Sequence, residues 1–207
     1  LGGLPWERRP FNVPTDVPKG DPSIGQPQPV LAKGLVRYLG QPVAVIVAET
    51  LEQALDGMEA VLVNYEPLTP LIDVREGAAH DAQQIWEQSP GNCCFNFQVG
   101  DADAADAAIT TAATVMRLSS DNGRLVQNPL ETRGYVGLWD ADDECYTLHA
   151  AAGKPQTVGR DLAQFVFGLP EDRVRAVTKD VGGGFGAKNP LYPEQALVLW
   201  TAKKLDR

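Results

Sequence analysis

Cysteine and histidine are scarce in this sequence, which excludes several kinds of site. Its 207 residues include three cysteines (Cys93, Cys94 and Cys145) and two histidines (His80 and His149). None of these residues has the spacing of a CxxC motif or of a zinc ligand set, so no metal held by side chains is expected. Because adjacent cysteines rarely pair and the count is odd, the sequence predicts reduced thiols, as in a cytoplasmic protein.

Excess basic charge and long apolar runs are also missing. The chain has 18 Lys and Arg against 27 Asp and Glu, which gives a formal net charge of −9 at pH 7. Nucleic-acid-binding surfaces need a basic stripe, so this balance argues against a nucleic-acid partner. No apolar run approaches the roughly 20 residues of a membrane span, and no signal peptide is visible. We therefore expect a cytoplasmic protein without a membrane span, while export stays open because the sequence begins at Leu1.

The pattern of apolar and turn residues predicts a mixed α/β fold. Residues 43–48 form a continuous apolar run, which predicts a buried strand, and Thr50 and Gln53 have the spacing of a capping box that opens a helix. Residues 61–65 predict a second strand, which completes a strand–helix–strand unit. Further predicted elements are a helix at 101–113, a strand at 114–118, a hairpin of strands at 133–139 and 145–150, a helix at 155–167, a strand at 174–181 and a helix at 194–204.

Glycines are concentrated in one run, residues 181–188, with the sequence Val-Gly-Gly-Gly-Phe-Gly-Ala-Lys. Glycine has no Cβ, so it admits positive φ and leaves its N–H group uncovered. Consecutive uncovered N–H groups form a concave donor surface suited to an oxyanion or an anionic cofactor. Phe185 is the one bulky group in this run, and we expect it to form a wall of the site.

Other interpretations of the glycine run compete with this one. Walker A ends in Gly-Lys-Ser/Thr, whereas here Asn189 follows Lys188. The dinucleotide fingerprint needs three glycines at fixed spacing where a helix opens, but Gly186 comes one residue early, and Pro190 and Pro193 delay the next helix. A glycine-rich turn without any ligand also stays open.

Several motifs, taken together and in order, resemble the xanthine dehydrogenase/aldehyde oxidase family. Residues 40–50 and 63–68 are similar to the hammerhead domain of that family. Similarity to its molybdopterin-binding domain comes from residues 128–134 (Asn-Pro-Leu-Glu-Thr-Arg-Gly), 169–175, 180–188 and 192–194 (Tyr-Pro-Glu). The Tyr-Pro-Glu motif resembles the bacterial large subunits that are similar to carbon monoxide dehydrogenase.

The resemblance implies an α+β chain, with mixed α/β parts, that contains portions of two domains. A partial hammerhead domain with a proline-rich lead-in is expected over residues 1–77, and a linker over residues 78–98. The first part of a molybdopterin-binding domain is expected over residues 99–207. The sequence is therefore expected to be a piece of a longer subunit.

The same resemblance implies a molybdenum hydroxylase, an oxidoreductase that oxidises an aldehyde or N-heteroaromatic carbon with oxygen from water. The expected cofactor is Mo-molybdopterin in its cytosine dinucleotide form. The expected partners are an iron–sulfur small subunit with [2Fe-2S] clusters, an FAD-binding medium subunit and the remainder of the same subunit. The catalytic base is expected beyond Arg207, so this chain alone is expected to be inactive. The alternative is a non-catalytic, truncated or degenerate scaffold of the same fold.

The site residues follow from matching the family motif to this sequence. Gly183, Gly184, Phe185 and Gly186 are the expected cofactor-binding residues, and the N–H of Gly186 is expected to donate toward a metal oxo group. Phe185 and Asn189 are the expected substrate contacts. Because purine-oxidising members have a glutamate in place of Asn189, purine binding through this contact is not expected.

Two further features of the sequence bear on activity. Gly153 stands where the family has a glutamine that bonds a metal oxo ligand, and Gln156 replaces a nearby histidine. The loss of one positioned donor costs about 2.7–4 kcal/mol of transition-state stabilisation where nothing replaces it. Glu131 and Arg133 are interpreted as a structural ion pair, against the alternative of an acid and an anion clamp. Lys188 stays open between a structural or solvated cation and a ligand contact.

Overall fold

The computed structural model of the chain describes residues 3–4, 28–87, 89–93, 100–123 and 125–207. Its strands are β1 (Gly3–Leu4), β2 (Gln28–Pro29), β3 (Tyr135–Asp140), β4 (Cys145–Ala150) and β5 (Val174–Val177). Its α-helices are α1 (Leu51–Glu59), α2 (Val74–Gly77), α3 (Ala102–Thr111), α4 (Pro155–Asp161) and α5 (Pro193–Leu205). Short 3-10 turns cover Pro90–Asn92 and Glu171–Arg173, and a π-helical segment, Leu162–Phe167, continues α4.

A three-stranded sheet in the order β3–β4–β5 forms the centre of the fold. β3 and β4 are antiparallel, from Tyr135 opposite Ala150 to Asp140 opposite Cys145, as the hairpin pattern predicts. β4 and β5 are parallel, and α4 with its π-helical continuation forms the crossover between them. Since parallel strands run in the same direction, the carboxyl ends of β4 and β5 lie side by side at one edge.

The hydrophobic core lies between this sheet and the helices α4 and α5. Leu148 of β4, Leu162 after α4 and Leu199 of α5 are all 0% exposed, and burial of each such side chain stabilises the fold by about 1.5–3 kcal/mol. α5 packs so closely on β3 that a Cβ on Gly137 would stand 2.7 Å from the backbone of Val198. Glycine at this position therefore permits the contact between helix and sheet.

The predicted helices at 155–167 and 194–204 are confirmed. α4 with its π-helical continuation has the predicted bounds, and α5 extends one residue beyond its predicted bounds at each end. α4 begins with Pro155 at its first turn, where the missing N–H costs no hydrogen bond. Its continuation ends at Gly168, whose φ of 64° is a left-handed conformation that glycine adopts easily. α5 begins at Pro193, and the N–H of the preceding Tyr192 donates to Gln195 Oε1 at 2.9 Å.

The predicted helices α1 and α3 are also confirmed, and side chains cap both of them. Thr50 Oγ1 accepts from the N–H of Gln53 at 3.3 Å, although the Gln53 side chain accepts from Glu49 N–H, so only half of the predicted capping box forms. Asp101 Oδ1 accepts from Ala104 N–H at 2.9 Å. In the part of the chain that the structure describes, no helix combines the length and apolar character of a membrane span.

The predicted strands at 43–48, 61–65 and 114–118 are wrong. Among the described residues none of these segments belongs to a sheet, and the valines of the first segment are 36–49% exposed. The predicted strand at 174–181 ends early, at Val177. A strand forms only where a neighbouring backbone supplies hydrogen bonds, and an apolar run in the sequence does not supply that neighbour.

Some predictions fall on residues outside the described ranges. Most of the proline-rich lead-in lies at residues 5–27, and part of the predicted linker lies at residues 94–99, which include Cys94. The division of the chain at residues 77 and 98 stays a prediction.

Candidate functional site

The glycine-rich run lies in the connection between β5 and α5. Thr178, directly after β5, donates from Oγ1 to the carbonyl oxygen of Ala150 at 2.8 Å, which ties this connection to the carboxyl end of β4. In open α/β sheets, ligands bind outside the carboxyl ends of parallel strands. Residues 182–189, here called the glycine loop, therefore follow the sheet edge where a ligand is expected.

Two overlapping turns shape the second half of the glycine loop. The N–H of Ala187 donates to the carbonyl oxygen of Gly184 at 2.8 Å, and the N–H of Asn189 donates to that of Gly186 at 3.3 Å. These bonds close the chain on itself over six residues, so the peptide groups of the loop have defined orientations.

Positive φ angles recur through the loop. They are 97° at Gly183, 47° at Phe185 and 85° at Gly186. Glycine adopts such angles without steric cost, whereas a left-handed Phe185 carries on the order of 1–3 kcal/mol of strain. The Phe185 side chain is also 73% exposed. A strained aromatic residue on the surface of a loop is a reason to look for a functional contact there.

The N–H groups in the middle of the loop have no acceptor among the described residues. This holds for the predicted cofactor-binding residues Gly183, Gly184, Phe185 and Gly186, which the structure brings together in one loop. A Cβ added at Gly184 or Gly186 would meet no atom within 4 Å, so both positions border open space. Successive uncovered amides of this kind suit the oxygen atoms of an anionic group. Their role as cofactor contacts stays a prediction.

Glu131 binds both ends of the glycine loop. Its Oε2 accepts from the N–H of Gly182 at 2.7 Å and from Lys188 Nζ at 2.6 Å, and its own N–H donates to the carbonyl oxygen of Gly182 at 3.3 Å. The hydrogen bonds from Lys188 and then from Gly182 hold the pKa of the Glu131 carboxyl below its usual range. A Cβ on Gly182 would stand 2.6 Å from Glu131 Cβ, so glycine permits this close approach.

Lys188 is a buried cation near the end of the loop. Its side chain is 1% exposed and its ammonium group pairs with Glu131. Its carbonyl oxygen accepts from the N–H of Gly153 at 3.2 Å, which joins the loop to the segment before α4. A buried ammonium group without a carboxylate would be strongly destabilising, so Lys188 and Glu131 have to be considered together.

Arg133 is also in an ion pair, but not with Glu131. Its guanidinium group lies 3.6 Å from Glu194 Oε1 and 3.9 Å from the centre of the Tyr192 ring. The hydroxyl of Tyr192 donates to the carbonyl oxygen of Ala187, so Arg133 supports the second turn of the loop through Tyr192. Glu131 and Arg133 are therefore each in an ion pair, while their predicted pairing with one another is wrong. Their interpretation as structural stays a prediction.

Gly153 and Asn189 are in direct contact. A Cβ on Gly153 would stand 2.4 Å from Asn189 Oδ1, so the Asn189 side chain fills the space that a side chain at position 153 would need. Gln156 is exposed on the first turn of α4. The Asn189 side chain thus leaves room only for glycine at position 153. The contact of Asn189 with substrate stays a prediction.

A cavity of about 280 Å³ lies next to the loop and was missed by the sequence analysis. Its wall includes Tyr135 of β3, His149 of β4, Lys179 and Asp180 after β5, and Glu131. Burial raises the pKa of Tyr135 to about 12, so its hydroxyl stays protonated at neutral pH. The position of His149, Lys179 and Asp180 at the carboxyl ends of β4 and β5 was the signal that could have found this wall.

The loop offers backbone donors rather than metal ligands. No group of three His, Cys, Asp or Glu side chains comes together as a metal site in the described ranges. Amide N–H groups bind oxygen atoms, so the arrangement suits a preassembled anionic group more than a bare metal ion.

Two family models match this chain. Residues 85–207 match the molybdopterin cofactor-binding domain. Residues 12–69 match the a/b hammerhead domain of aldehyde oxidase and xanthine dehydrogenase. The first match covers more than half of the chain, and the glycine loop, Glu131 and Lys188 all lie within it.

Curated relatives agree with these matches. The carbon monoxide dehydrogenase large chain of Hydrogenophaga pseudoflava is 32% identical over 190 residues, which cover 86% of this chain and 24% of that protein. The nicotine 6-hydroxylase large subunit of Paenarthrobacter nicotinovorans is 31% identical over 177 residues, which cover 86% of this chain and 21% of that protein. The chain therefore spans less than a quarter of the length of these relatives.

Solved structures show the same likeness in three dimensions. Quinoline 2-oxidoreductase from Pseudomonas putida 86 gives a TM-score of 0.74 at 29% identity, over 93% of this chain and 24% of that one. The Cu,Mo-CO dehydrogenase in its carbon monoxide reduced state gives a TM-score of 0.80 at 29% identity, over 88% of this chain and 24% of that one. The expected fold class, a hammerhead domain followed by the start of a molybdopterin-binding domain, is confirmed.

Proposed function

The chain belongs to the aldehyde oxidase and xanthine dehydrogenase family, and we propose that its glycine loop holds the molybdopterin cofactor of a molybdenum hydroxylase. The observation that carries this proposal is the set of partnerless N–H groups at Gly183, Gly184, Phe185 and Gly186, among the described residues. Of these residues, Gly184 and Gly186 border open space, and the loop follows the carboxyl edge of a parallel strand pair.

The residues of the loop fit such a cofactor. Molybdopterin is anionic and rich in oxygen, and bare amides next to glycines allow oxygen atoms to approach the backbone closely. The bound cofactor would supply oxygen-transfer and two-electron chemistry, which protein side chains do not provide. The loop amides would hold and orient its oxygen atoms, and Glu131 and Lys188 would fix the loop from below.

Phe185 and Asn189 are the residues that we propose for substrate contact. The exposed Phe185 ring offers a flat apolar face, which suits a heteroaromatic ring or the apolar part of an aldehyde. Asn189 offers a neutral amide beside Gly153. A neutral contact favours uncharged substrates over those that need a carboxylate partner.

The proposed holoenzyme is larger than this chain. Relatives are named as large chains or as subunits of a complex, such as the 6-hydroxypseudooxynicotine dehydrogenase complex subunit gamma. We therefore propose iron–sulfur and FAD-binding partner subunits, the cytosine dinucleotide form of molybdopterin, and a cytoplasmic location. An aldehyde or N-heteroaromatic substrate is consistent with relatives named for nicotine and quinoline. The catalytic base would come from the remainder of the same subunit.

Replacement of Gly184 tests the proposal in the complete purified enzyme that contains this chain. Gly184→Val would place an isopropyl group in the open space beside the loop amides. We expect molybdenum and pterin per protein, measured by mass spectrometry and fluorescence, to fall by about tenfold. Turnover should fall with them, while the cofactor-free forms of the variant and of the unmodified enzyme should have similar melting temperatures.

Gly123→Val is the matched control. Gly123, like Gly184, has no atom within 4 Å of an added Cβ and no positive φ, but it lies outside the glycine loop. Full molybdenum content in both variants would contradict the proposed role of the loop. A complete, folded protein with neither molybdenum nor pterin would instead favour the non-catalytic scaffold.

A further inference from the structure

One carboxylate oxygen connects the two ends of the glycine loop. Glu131 Oε2 accepts from Gly182 N–H at 2.7 Å and from Lys188 Nζ at 2.6 Å. Glu131 precedes these partners by 51 and 57 residues, so the contacts join a distant segment to the loop. The two donors are Gly182, the first residue of the loop, and Lys188, its last residue but one. Between them lie the amides that have no acceptor within the described part of the chain.

Further contacts fix the position of Glu131 and its neighbours against the glycine loop. The N–H of Glu131 returns a hydrogen bond to Gly182 O at 3.3 Å, so the two backbones are joined twice. A Cβ on Gly183 would stand 3.2 Å from Pro129 Cβ, so segment 129–131 packs along the first half of the loop. Lys188 is 1% exposed, and Glu131 is its ion-pair partner. A neutral residue at 131 would leave that ammonium group buried without a counter-charge.

We propose that Glu131 is a positioning residue that sets the distance between the two ends of the glycine loop and thereby aligns its amides for the cofactor. This rests on the proposed cofactor-binding function. Glu131 touches neither cofactor nor substrate in this proposal; it acts through Gly182 and Lys188. Since both side-chain contacts converge on the same oxygen, a change in either partner affects one end of the loop only. A change in the Glu131 side chain removes both contacts and leaves the backbone bond to Gly182 as the remaining link at the first end.

Amide hydrogen exchange in the cofactor-free complete protein tests this role without reference to activity. The N–H groups of Ala187 and Asn189 are bonded within the loop and make no contact with Glu131, so their exchange reports the order of the loop. For Glu131→Gln we expect their protection to fall by about tenfold or more, because a charged hydrogen bond is lost. Asp121→Asn, which breaks the exposed pair with Arg75, is the control and should leave loop exchange unchanged.

A paired variant separates positioning from simple ion-pair stability. Glu131→Gln leaves Lys188 buried and unpaired, so the melting temperature falls as well. Glu131→Gln with Lys188→Met removes both charges, and we expect it to recover most of the melting temperature. Loop exchange at Ala187 should stay fast, because the bond from Lys188 that ties the second end of the loop to segment 129–131 is absent. If the double variant recovers melting temperature and loop protection together, the pair is only structural and the proposal is overturned.

Molybdenum content completes the test. In the enzyme assembled with its partners, the double variant should bind about tenfold less molybdenum than the unmodified enzyme and give a broadened electron paramagnetic resonance spectrum of the metal. Unchanged molybdenum content with disordered loop exchange would overturn the link between loop geometry and the cofactor. Absence of molybdenum from the unmodified enzyme would overturn the proposed function instead, while the exchange experiment would still decide whether Glu131 orders the loop.

Discussion

Two regions of this chain obtain their structure in different ways. The downstream region, residues 135–205, contains a sheet and two helices that bury each other, and α5 alone has five buried residues. The upstream region, residues 43–130, contains the short helix α2, with Gly77 buried, and the longer helices α1 and α3, neither of which has a buried residue. Local signals form the upstream helices, whereas tertiary packing stabilises the downstream ones. The glycine loop belongs to the packed region, which is where a site needs rigid support.

The largest expected difference between the two regions is in the free energy of unfolding that is lost when a leucine is replaced by alanine. Leu148 is 0% exposed in the centre of β4, so Leu148→Ala should lower the free energy of unfolding by about 2–5 kcal/mol. Leu62 is 90% exposed, and Leu62→Ala should change it by less than about 0.5 kcal/mol. Urea denaturation followed by tryptophan fluorescence measures both. Equal effects would show that the two regions do not differ in packing.

A smaller difference between the two regions is expected in the stability that is lost when a glycine is replaced by alanine. Gly137→Ala would place a Cβ 2.7 Å from the backbone of Val198 and push α5 away from β3, at a cost of about 1–3 kcal/mol. Gly123→Ala meets no atom within 4 Å and should be nearly neutral or slightly stabilising. Thermal melts compare the two. A neutral Gly137→Ala would mean that the helix can shift freely on the sheet, against the close packing described above.

The comparison also shows which parts of the fold the sequence could predict. Caps and breakers act within a few residues, so Pro155, Gly168 and Asp101 marked helix ends correctly. The β3–β4 hairpin was equally local. The apolar segments at 43–48 and 61–65 have the composition of strands, but their state depends on a neighbour that composition does not specify. Predictions therefore succeeded where the deciding contact was local.

The candidate site likewise has a local part, which the sequence indicates, and a long-range part, which it does not. The glycine loop could be located because its residues are consecutive in the sequence. Its supports could not, because Glu131 meets Gly182 and Lys188 across more than 50 residues. The contact of Gly153 with Asn189 is likewise long-range, and no periodic pattern indicates it. Chemistry that depends on such contacts becomes visible only after the chain has folded.

The smallest expected effect is the loss of helix stability when an N-cap side chain is removed. It should be seen in the upstream region, whose helices depend most on such capping bonds. Thr50 Oγ1 accepts from Gln53 N–H at the start of α1, and Thr50→Ala should cost about 1 kcal/mol of helix stability. With no buried residue to compensate, α1 should fray, and helical circular dichroism should fall slightly below that of the control Thr114→Ala, which lies outside any helix. α4, by contrast, has no side-chain capping bond at its N-cap and relies on buried Val158 and Gly159. If Thr50→Ala leaves the helical signal unchanged, contacts other than the cap hold α1, and the upstream region is better packed than its exposure indicates.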